Sequence, residues 1–364
     1  MGADAPGIKR GTALAALLTW IKLPHFAARA FIPGGVSREG HPPDPQEFVM
    51  SRRFSSVSES ILDAIGDTPL LEIDGVFAKC EFMNPSGSIK ARIALYMIEK
   101  AEAEGRLRPG DTIVEATSGN TGNALSMVAA VKGYRMRVVM PEGLSNERVA
   151  ISRAYGAEVE FCGNFHVNSA LERAHELGRQ DGFFCPSQFE SEYNVEENRV
   201  VLGPEILAQL PEGRLPDALV MGVGTGGTLI GVGQAFREAN PDVRLFAMEP
   251  SGSRTILCGE VDTHAIEGIS DGFVPGIFAR HAELVGDNLA VSDDEAIAEM
   301  RRLAREHGLL CGPSSGAHLV AARRVREQHP ELRTVVTLFC DEGEKYLQEH
   351  FSAPATDVVG TAFG

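Results

Sequence analysis

Several features that define other protein classes are missing from this chain of 364 residues. Its six cysteines are widely spaced, the nearest two being Cys162 and Cys185, and they form no CxxC pair and no zinc-finger spacing with histidine. This pattern predicts reduced thiols, no metal site and a cytoplasmic location. No run of 18 apolar residues occurs, so no transmembrane helix is expected.

Basic residues are also scarce. The chain holds 34 Lys and Arg against 50 Asp and Glu, a formal net charge of −16. Nucleic acids and anionic membrane surfaces attract basic faces, so this balance argues against both as partners. With 43% hydrophobic residues, the chain has enough apolar material for a sizeable core. We therefore expect a globular protein whose partner is a small molecule.

Residues 1–53 differ from the rest in composition, because basic groups outnumber acidic ones there. A short apolar run at 12–21 follows Lys9 and Arg10, which resembles a signal peptide or an amphipathic targeting helix. We favour a third interpretation, a poorly ordered extension from an upstream start codon with Met50 as the natural beginning. The Gly- and Pro-rich stretch 33–45 is typical of a linker, and residues 352–364 are predicted to form a tail.

From about residue 54, β-rich runs alternate with helical patterns, which predicts an α/β fold with parallel sheets and helices on both faces. The sequence Ser292-Asp293-Asp294-Glu295 forms a capping box that starts a helix running to about His307. One predicted strand, 136–140, is expected to end before Pro141. The other predicted strands are 112–116, 158–161, 217–221, 243–248 and 334–339; the other predicted helices are 89–103, 121–131, 146–155, 168–179 and 228–238, and one that follows Ser315 and ends before Pro330.

A glycine-rich turn occupies residues 222–228, between a predicted strand and a helix. Its backbone amides can converge on a phosphate, helped by the helix dipole. The turn also satisfies GxGxxG, and Glu249 follows 22 residues after Gly227, as in a dinucleotide fingerprint. The motif alone leaves a single phosphate, a dinucleotide and a simple packing turn open.

Three further turns precede predicted helices. Residues 117–122 (TSGNTG) offer more donors than capping requires and suit a carboxylate or another small anion, although an ordinary capped turn is the alternative. In residues 84–92 (NPSGSIKAR), Lys90 is either a solvated surface group or an inward-facing nucleophile able to form a Schiff base. In residues 311–317 (CGPSSGA), a serine either caps the helix or contacts a ligand.

In combination, and in their order along the chain (84–92, 117–122, 222–228, 311–317), the four turns resemble the cysteine synthase / cystathionine β-synthase family of pyridoxal-phosphate (PLP) enzymes. The resemblance covers about residues 57 to 347 and includes GDTPL at 66–70. It implies PLP fold type II, with two mostly parallel sheets, flanking helices, and the cofactor in a cleft between two domains. The larger domain would comprise 54–93 and 196–351, and the smaller one 94–195.

The resemblance also implies roles for individual residues. Lys90 would carry the cofactor as a Schiff base and move the substrate Cα proton. Asn120 would bond the pyridoxal 3′-oxygen, and Ser314 would meet the pyridine nitrogen as a neutral partner. The cofactor phosphate would be held by Gly224, Thr225, Gly226, Gly227 and Thr228. The substrate would be contacted by Thr117, Ser118, Gly119, Asn120, Thr121, Gln188 and Gly268.

The implied activity is β-replacement on an activated L-serine, with O-acetylserine and sulfide giving L-cysteine and acetate. Condensation of serine with a thiol, as in cystathionine β-synthase, is the alternative within the family. Rivals outside it are an NAD-dependent oxidoreductase and a catalytically silent PLP-binding paralogue in a complex. Departures from the family pattern lie at Ala91, 190–194 and 267–272, and concern the substrate rather than the cofactor. The family implies a homodimer.

Overall fold

Two separate sheets of mostly parallel strands form the computed structural model, which describes residues 57–117, 119–143, 146–164 and 167–351. The predicted extension 1–53 and the tail 352–364 lie outside the described residues. The α/β fold class with two sheets is confirmed. The proposed domain boundaries stay a prediction.

The larger sheet has six strands in the order β1-β2-β10-β7-β8-β9. All neighbouring strands in it are parallel except β1 and β2, which form an antiparallel hairpin. Its strands are β1 Leu70–Ile73, β2 Val76–Cys80, β7 Ala218–Gly222, β8 Arg244–Pro250, β9 Asp287–Val291 and β10 Val335–Phe339.

The smaller sheet has four parallel strands in the order β5-β4-β3-β6. They are β3 Thr112–Ala116, β4 Arg135–Glu142, β5 Glu158–Asn164 and β6 Phe183–Phe184. The expectation that Pro141 ends its strand was wrong, because β4 continues to Glu142. The β4–β5 register shifts between Met140 and Glu142, and such an irregularity accommodates a proline that cannot donate to the ladder.

Helices cover the faces of both sheets. The predicted capping box is confirmed: the Ser292 hydroxyl accepts a hydrogen bond from the Glu295 amide, and the Glu295 carboxylate accepts one from the Ser292 amide. The helices are α1 Lys90–Ala103, α2 Asn120–Lys132, α3 Asn146–Ala154, α4 Asn168–Gly178, α5 Glu192–Glu197, α6 Gly203–Gln209, α7 Gly227–Ala239, α8 Thr255–Cys258, α9 Gly276–Arg280, α10 Asp293–His307 and α11 Pro313–Gln328.

The central strands are buried along their whole length, as expected when helices cover both faces of a sheet. Separate apolar clusters pack on the two faces of each sheet. Within the described ranges, no helix is long and apolar enough to cross a membrane. The cysteines are free thiols.

Candidate active site

The predicted motifs meet at the carboxyl ends of the parallel strands. Residues 117–120 follow β3, the glycine-rich residues 223–226 follow β7, and Cys340 follows β10. Open parallel sheets bind ligands at this edge. Two adjoining pockets form here, and five residues line both of them: Lys90, Asn120, Gly224, Thr225 and Gly268.

We call the first cavity the glycine-loop pocket, after residues 222–228. Its unfilled volume is about 480 Å³, including open solvent. Of the residues predicted to hold a cofactor, it is lined by Lys90, Asn120, Gly224, Thr225, Gly226, Thr228 and Ser314. The remaining predicted member of the loop, Gly227, is the buried first residue of α7.

The second cavity, the threonine pocket, lies on the side of the smaller sheet, with an unfilled volume of about 410 Å³ that also includes open solvent. The predicted substrate residues that line it are Thr117, Gly119, Asn120, Thr121, Gln188 and Gly268. Ser118, the remaining member of that prediction, lies outside the described residues. Arg148, Phe189 and Asp271, which the sequence did not single out as site residues, also line it.

Lys90 is the first residue of α1, and the loop before it is fixed to the end of β10. The Ile89 amide donates to the Cys340 carbonyl at 2.8 Å, and the Glu342 amide donates to the Gly87 carbonyl at 3.0 Å. The Lys90 amide donates to the Ser88 hydroxyl at 3.3 Å. These bonds place the Lys90 side chain on the shared wall of the two pockets, so it is not an ordinary surface lysine.

A buried ionic cluster anchors the start of α1. The Arg92 guanidinium, one half turn after Lys90, pairs with both carboxylate oxygens of Glu81 at 2.6 and 2.8 Å. It also pairs with both oxygens of Glu205 at 2.9 Å. Planar bidentate contacts of this kind fix geometry as well as contribute energy. The start of α1 is therefore anchored to α6 and to the segment that follows β2.

The glycine loop follows a tightly packed path that requires glycine at two positions. Gly226 has φ +85°, a left-handed conformation that side-chain-bearing residues rarely adopt. A Cβ on Gly224 would lie only 2.4 Å from the Gly268 carbonyl oxygen. The loop runs into the amino terminus of α7, a helix of 13 residues whose dipole favours an anion there.

The geometry does not support a dinucleotide. The Glu249 carboxylate, which would have to bind a ribose, accepts hydrogen bonds from the amides of Ile256 at 2.6 Å and Leu257 at 2.9 Å. Its side chain is buried in those contacts. The Gly222 amide, at the start of the fingerprint, donates to His318 Nε2 at 2.7 Å instead of pointing at the pocket.

The residues around the threonine pocket are ordered by one another. The Thr121 hydroxyl donates to Gln188 Oε1 at 2.6 Å, and Gln188 Nε2 donates to the Ala116 carbonyl at 2.9 Å. The Gln188 amide group thus holds Thr121 in place. Thr117 Oγ1 accepts from the Gly119 amide at 2.9 Å, and a hydroxyl that accepts one hydrogen bond still has its own hydrogen to donate.

Beneath Gln188, Glu115 is fully buried on β3. Its carboxylate accepts from the backbone amides of Ala116 and Gln188, both at 3.0 Å. Burial raises the pKa of Glu115 to about 7, although these backbone hydrogen bonds oppose the rise. This side chain fixes the backbone that carries Gln188.

The orientation of the Asn120 amide is determined by its two neighbours. Its nitrogen donates to Asp341 Oδ2 at 2.8 Å, and its oxygen accepts from Lys345 Nζ at 3.0 Å. A flipped amide would place like groups together. Asn120 therefore presents its second N–H as the group available to an acceptor in the pockets.

Ser314 and Ser315 have different surroundings, although they are adjacent. The helix cap of α11 is Gly312, so the interpretation of either serine as the cap was wrong. The Ser315 hydroxyl accepts from the Cys340 amide at 3.0 Å, while Ser314 lines the glycine-loop pocket with 4% of its surface exposed. Ser314 is the serine placed to contact a ligand.

A buried polar network that sequence reasoning missed encloses the site. Arg148 donates to the Tyr346 hydroxyl at 2.8 Å, and that hydroxyl donates to Asp341 Oδ2 at 2.6 Å. Arg148 also forms an ion pair with Glu267, on the loop that includes Gly268. Burial lowers the pKa of Lys345 and raises the pKa of Tyr346. No local motif signals these contacts, because they join segments far apart in the chain.

Comparisons with known proteins agree with this geometry. The family model described as "Pyridoxal-phosphate dependent enzyme" matches residues 61–341. A cysteine synthase of Staphylococcus aureus (strain Mu50 / ATCC 700699) is 42% identical over 298 residues, which is 79% of this chain and 95% of the relative. The chain belongs to the cysteine synthase / cystathionine β-synthase family of PLP-dependent enzymes.

Two solved structures of this family show the same fold. The crystal structure of O-ureido-L-serine synthase superposes with a TM-score of 0.75 at 40% identity, covering 84% of this chain and 97% of that one. An O-acetylserine dependent cystathionine β-synthase from Helicobacter pylori gives 0.77 at 34% identity, covering 82% and 100%. These relatives differ in the reactions their names describe, so the family does not by itself identify the substrates.

The residues present fit the family's cofactor. The glycine loop, in which Gly226 has φ +85° and Gly224 leaves no room for a Cβ beside the Gly268 carbonyl, suits a phosphate together with the α7 terminus. The Lys90 amine stands where the two pockets join, and the Ser314 hydroxyl lies on the wall of the glycine-loop pocket. The fold, the PLP dependence and the family are thus confirmed, and the roles of individual residues stay predictions.

Proposed function

We propose that this enzyme catalyses β-replacement on O-acetylserine, with sulfide as the nucleophile and L-cysteine and acetate as products. The observation that carries the proposal is the position of Lys90 on the wall shared by the two pockets. One amine can then reach both a group held by the glycine loop and an amino acid held by residues 117–121.

The cofactor would be held by Lys90, the glycine loop and Ser314. Bound PLP supplies an electron-withdrawing ring that stabilises negative charge at the substrate Cα. The hydroxyl of Ser314 is a neutral partner for the pyridine nitrogen, so it does not keep that nitrogen protonated as a carboxylate would. The Asn120 N–H would be donated to the 3′-oxygen, in the orientation imposed by Asp341 and Lys345.

The chain's own groups would then manage the substrate. Thr117 and the backbone amides of Asn120 and Thr121 would hold its carboxylate at the amino terminus of α2, where the helix dipole favours an anion. Lys90 would remove the Cα proton, the acetate group would leave Cβ, and sulfide would add there. Lys90 would return the proton to Cα at the end of the reaction.

A thiol-bearing amino acid is the second candidate nucleophile. Arg148 and Asp271 give the threonine pocket a guanidinium and a carboxylate. The Arg148 guanidinium is already paired with Glu267, so these side chains make the pocket polar without supplying a free cation. A polar wall of this kind suits the polar groups of an amino-acid nucleophile, whereas sulfide would not use it. This observation supports cystathionine β-synthase-type chemistry as the alternative.

The experiment is a product assay on the holoenzyme. Acetate release from O-acetylserine is measured alone, with sulfide and with homocysteine, and the amino-acid products are identified by mass spectrometry. We expect cysteine from sulfide at the highest kcat/KM. Preferred formation of cystathionine would mean that a thiol-bearing amino acid, rather than sulfide, is the nucleophile. Bound PLP without acetate release would favour the catalytically silent paralogue.

The matched control is Lys100→Ala, which removes another lysine of α1. Lys100 is half-exposed and pairs with Glu196 at 2.9 Å, away from both pockets. The Lys100→Ala variant should release acetate at the wild-type rate. We also propose a homodimer, tested by light scattering, and a cytoplasmic location, tested by cell fractionation; both rest on the family resemblance and the sequence.

A further inference from the structure

The hydrogen-bonded ladder between β7 and β10 stops early. Only Val335 with Ala218 and Val336 with Leu219 are in register. On its other side, β7 stays paired with β8 as far as Gly222. The carboxyl ends of β7 and β10 are thus unpaired with each other, and there Met221, Gly222 and Cys340 line the glycine-loop pocket.

Two side chains bridge the strands beyond this point. The Thr337 hydroxyl of β10 donates to the Val220 carbonyl at 2.8 Å, and His318 of α11 bridges the ends nearest the pocket. Its Nε2 lies 2.7 Å from the Gly222 amide nitrogen, and its Nδ1 lies 2.7 Å from the Leu338 carbonyl oxygen. The ring has no exposed surface and lies one turn after Ser314 on the same helix. It also lines the pocket. The imidazole therefore bonds a Gly222 amide and a Leu338 carbonyl that the β7–β10 ladder leaves without strand partners.

The two contacts determine which nitrogen of the imidazole ring carries the hydrogen. A backbone N–H needs an acceptor and a carbonyl needs a donor, so Nε2 is unprotonated and Nδ1 carries the hydrogen. Burial lowers the pKa of His318 to about 4, so the ring is neutral at physiological pH. A protonated ring would direct an N–H at the Gly222 N–H.

We propose that His318 is a positioning residue for cofactor binding. By accepting the Gly222 N–H and donating to Leu338, it fixes where the glycine loop leaves β7. This inference rests on the proposed role of the glycine loop as the phosphate site. What points to positioning is the identity of the partner: His318 holds the amide of Gly222, the residue from which the glycine loop leaves β7.

The test compares His318→Gln and His318→Ala with the wild-type enzyme after removal and re-addition of PLP. Glutamine retains one polar bridge and alanine retains none. PLP affinity is measured by absorbance titration of the apoenzyme, with the melting temperature of each apoenzyme recorded. Loss of one hydrogen bond to a buried amide is expected to weaken PLP binding about tenfold in His318→Ala, and less in His318→Gln.

A set of control variants and one additional measurement separate an effect on positioning from an effect on stability. Ile113→Val and Ile113→Ala, in the core of the smaller sheet away from both pockets, provide controls with lowered melting temperature. The ³¹P resonance of bound PLP should shift in the His318 variants and stay unchanged in the Ile113 variants. If His318→Ala does not fold, His318→Gln is read against the same controls.

Unchanged PLP affinity and an unchanged ³¹P resonance in the folded His318 variants would overturn the inference. Losses of PLP affinity no larger than those of Ile113 variants with the same melting temperature would also overturn it. The proposed function fails in a different way, through a wild-type enzyme that binds PLP but releases no acetate from O-acetylserine.

Discussion

Asn194 joins the two pockets by donating from its side-chain amide to the Thr225 hydroxyl at 3.0 Å. The same nitrogen donates to the Gln188 carbonyl at 2.9 Å. Thr225 belongs to the glycine loop and Gln188 to the threonine pocket, and Asn194 itself is almost completely buried on α5. One side-chain amide thus bonds both the glycine loop and the segment that carries Gln188.

The same side chain explains why residue 227 is glycine. A Cβ at Gly227 would lie 2.0 Å from Asn194 Oδ1. Gly227→Ala should weaken PLP binding by about tenfold or more, because Asn194 must leave its contacts with Thr225 and Gln188. In an Asn194→Ala background the added methyl has room, so the second substitution should cost much less.

Absorbance titration with PLP gives the four affinities of this double-mutant cycle. The single variant Asn194→Ala should also raise KM for the amino acid, since the Gln188 backbone loses a donor. Additive effects of the two substitutions would show that the Asn194–Gly227 contact does not order the loop.

Lys90→Ala should abolish both the visible absorbance of bound PLP and the release of acetate, since we propose no other amine to bond the cofactor. The comparison is with Lys100→Ala, on the same helix. Borohydride reduction, digestion and mass spectrometry identify the modified lysine in the wild-type enzyme. A pyridoxyl group on any lysine other than Lys90 contradicts the assignment.

The four motifs could be predicted from the sequence because each is local: a turn and the helix terminus that follows it within a few residues. Their convergence followed from the rule that parallel strands place their carboxyl ends at one edge. The β1–β2 hairpin was missed although its signal was present. Asp74 and Gly75, both with positive φ, form the Asp-Gly turn that favours a tight hairpin.

Other contacts could not be predicted from spacing. Arg148 and Tyr346 are 198 residues apart, and His318 is 96 residues from the glycine whose amide it binds. A buried histidine or arginine has no local pattern that distinguishes it from a surface one. Pro141 shows the opposite limit. The rule that proline ends a strand failed there, because the irregular β4–β5 register accommodates the proline ring.

Glu197 predicts a pH dependence of stability. It is buried near Arg92, 3.9 Å from its guanidinium, and burial raises its pKa from 4.5 to about 8. Between those values the folded protein keeps a proton that the unfolded chain releases, so the free energy of unfolding falls as the pH rises through this interval. Glu197→Gln should remove this loss and stabilise the protein at pH 8 by at least ~1 kcal/mol.

Glu205→Gln is the opposing control. Arg92 and Lys79 lower the pKa of Glu205 despite its burial, so its stabilisation is present above pH 4.5 and lost as the pH falls. This variant should be less stable at pH 8. Urea unfolding over pH values from about 3 to 8.5 measures both effects. If the free energy of unfolding depends on pH with the same slope in Glu197→Gln and in the wild-type protein, Glu197 is ionised in the folded protein.

Ser314 offers the sharpest test of the cofactor's orientation, because its neighbour provides a matched control. Ser314→Ala should cost about 1 kcal/mol of PLP binding, the contribution of one neutral hydrogen bond. Ser314→Asp should still bind PLP, but a carboxylate at the pyridine nitrogen favours the protonated ring and a stronger electron sink. Turnover should therefore fall and the visible spectrum should change.

Ser315→Ala should behave differently. Its hydroxyl accepts from the Cys340 amide, so its loss should lower the melting temperature while leaving the spectrum unchanged. Spectra, acetate release and melting curves of the three variants separate the two serines. If Ser314→Asp matches the wild-type enzyme in spectrum and turnover, the serine does not face the pyridine nitrogen. If Ser315→Ala shifts the spectrum and Ser314→Ala does not, Ser315 rather than Ser314 faces the pyridine nitrogen.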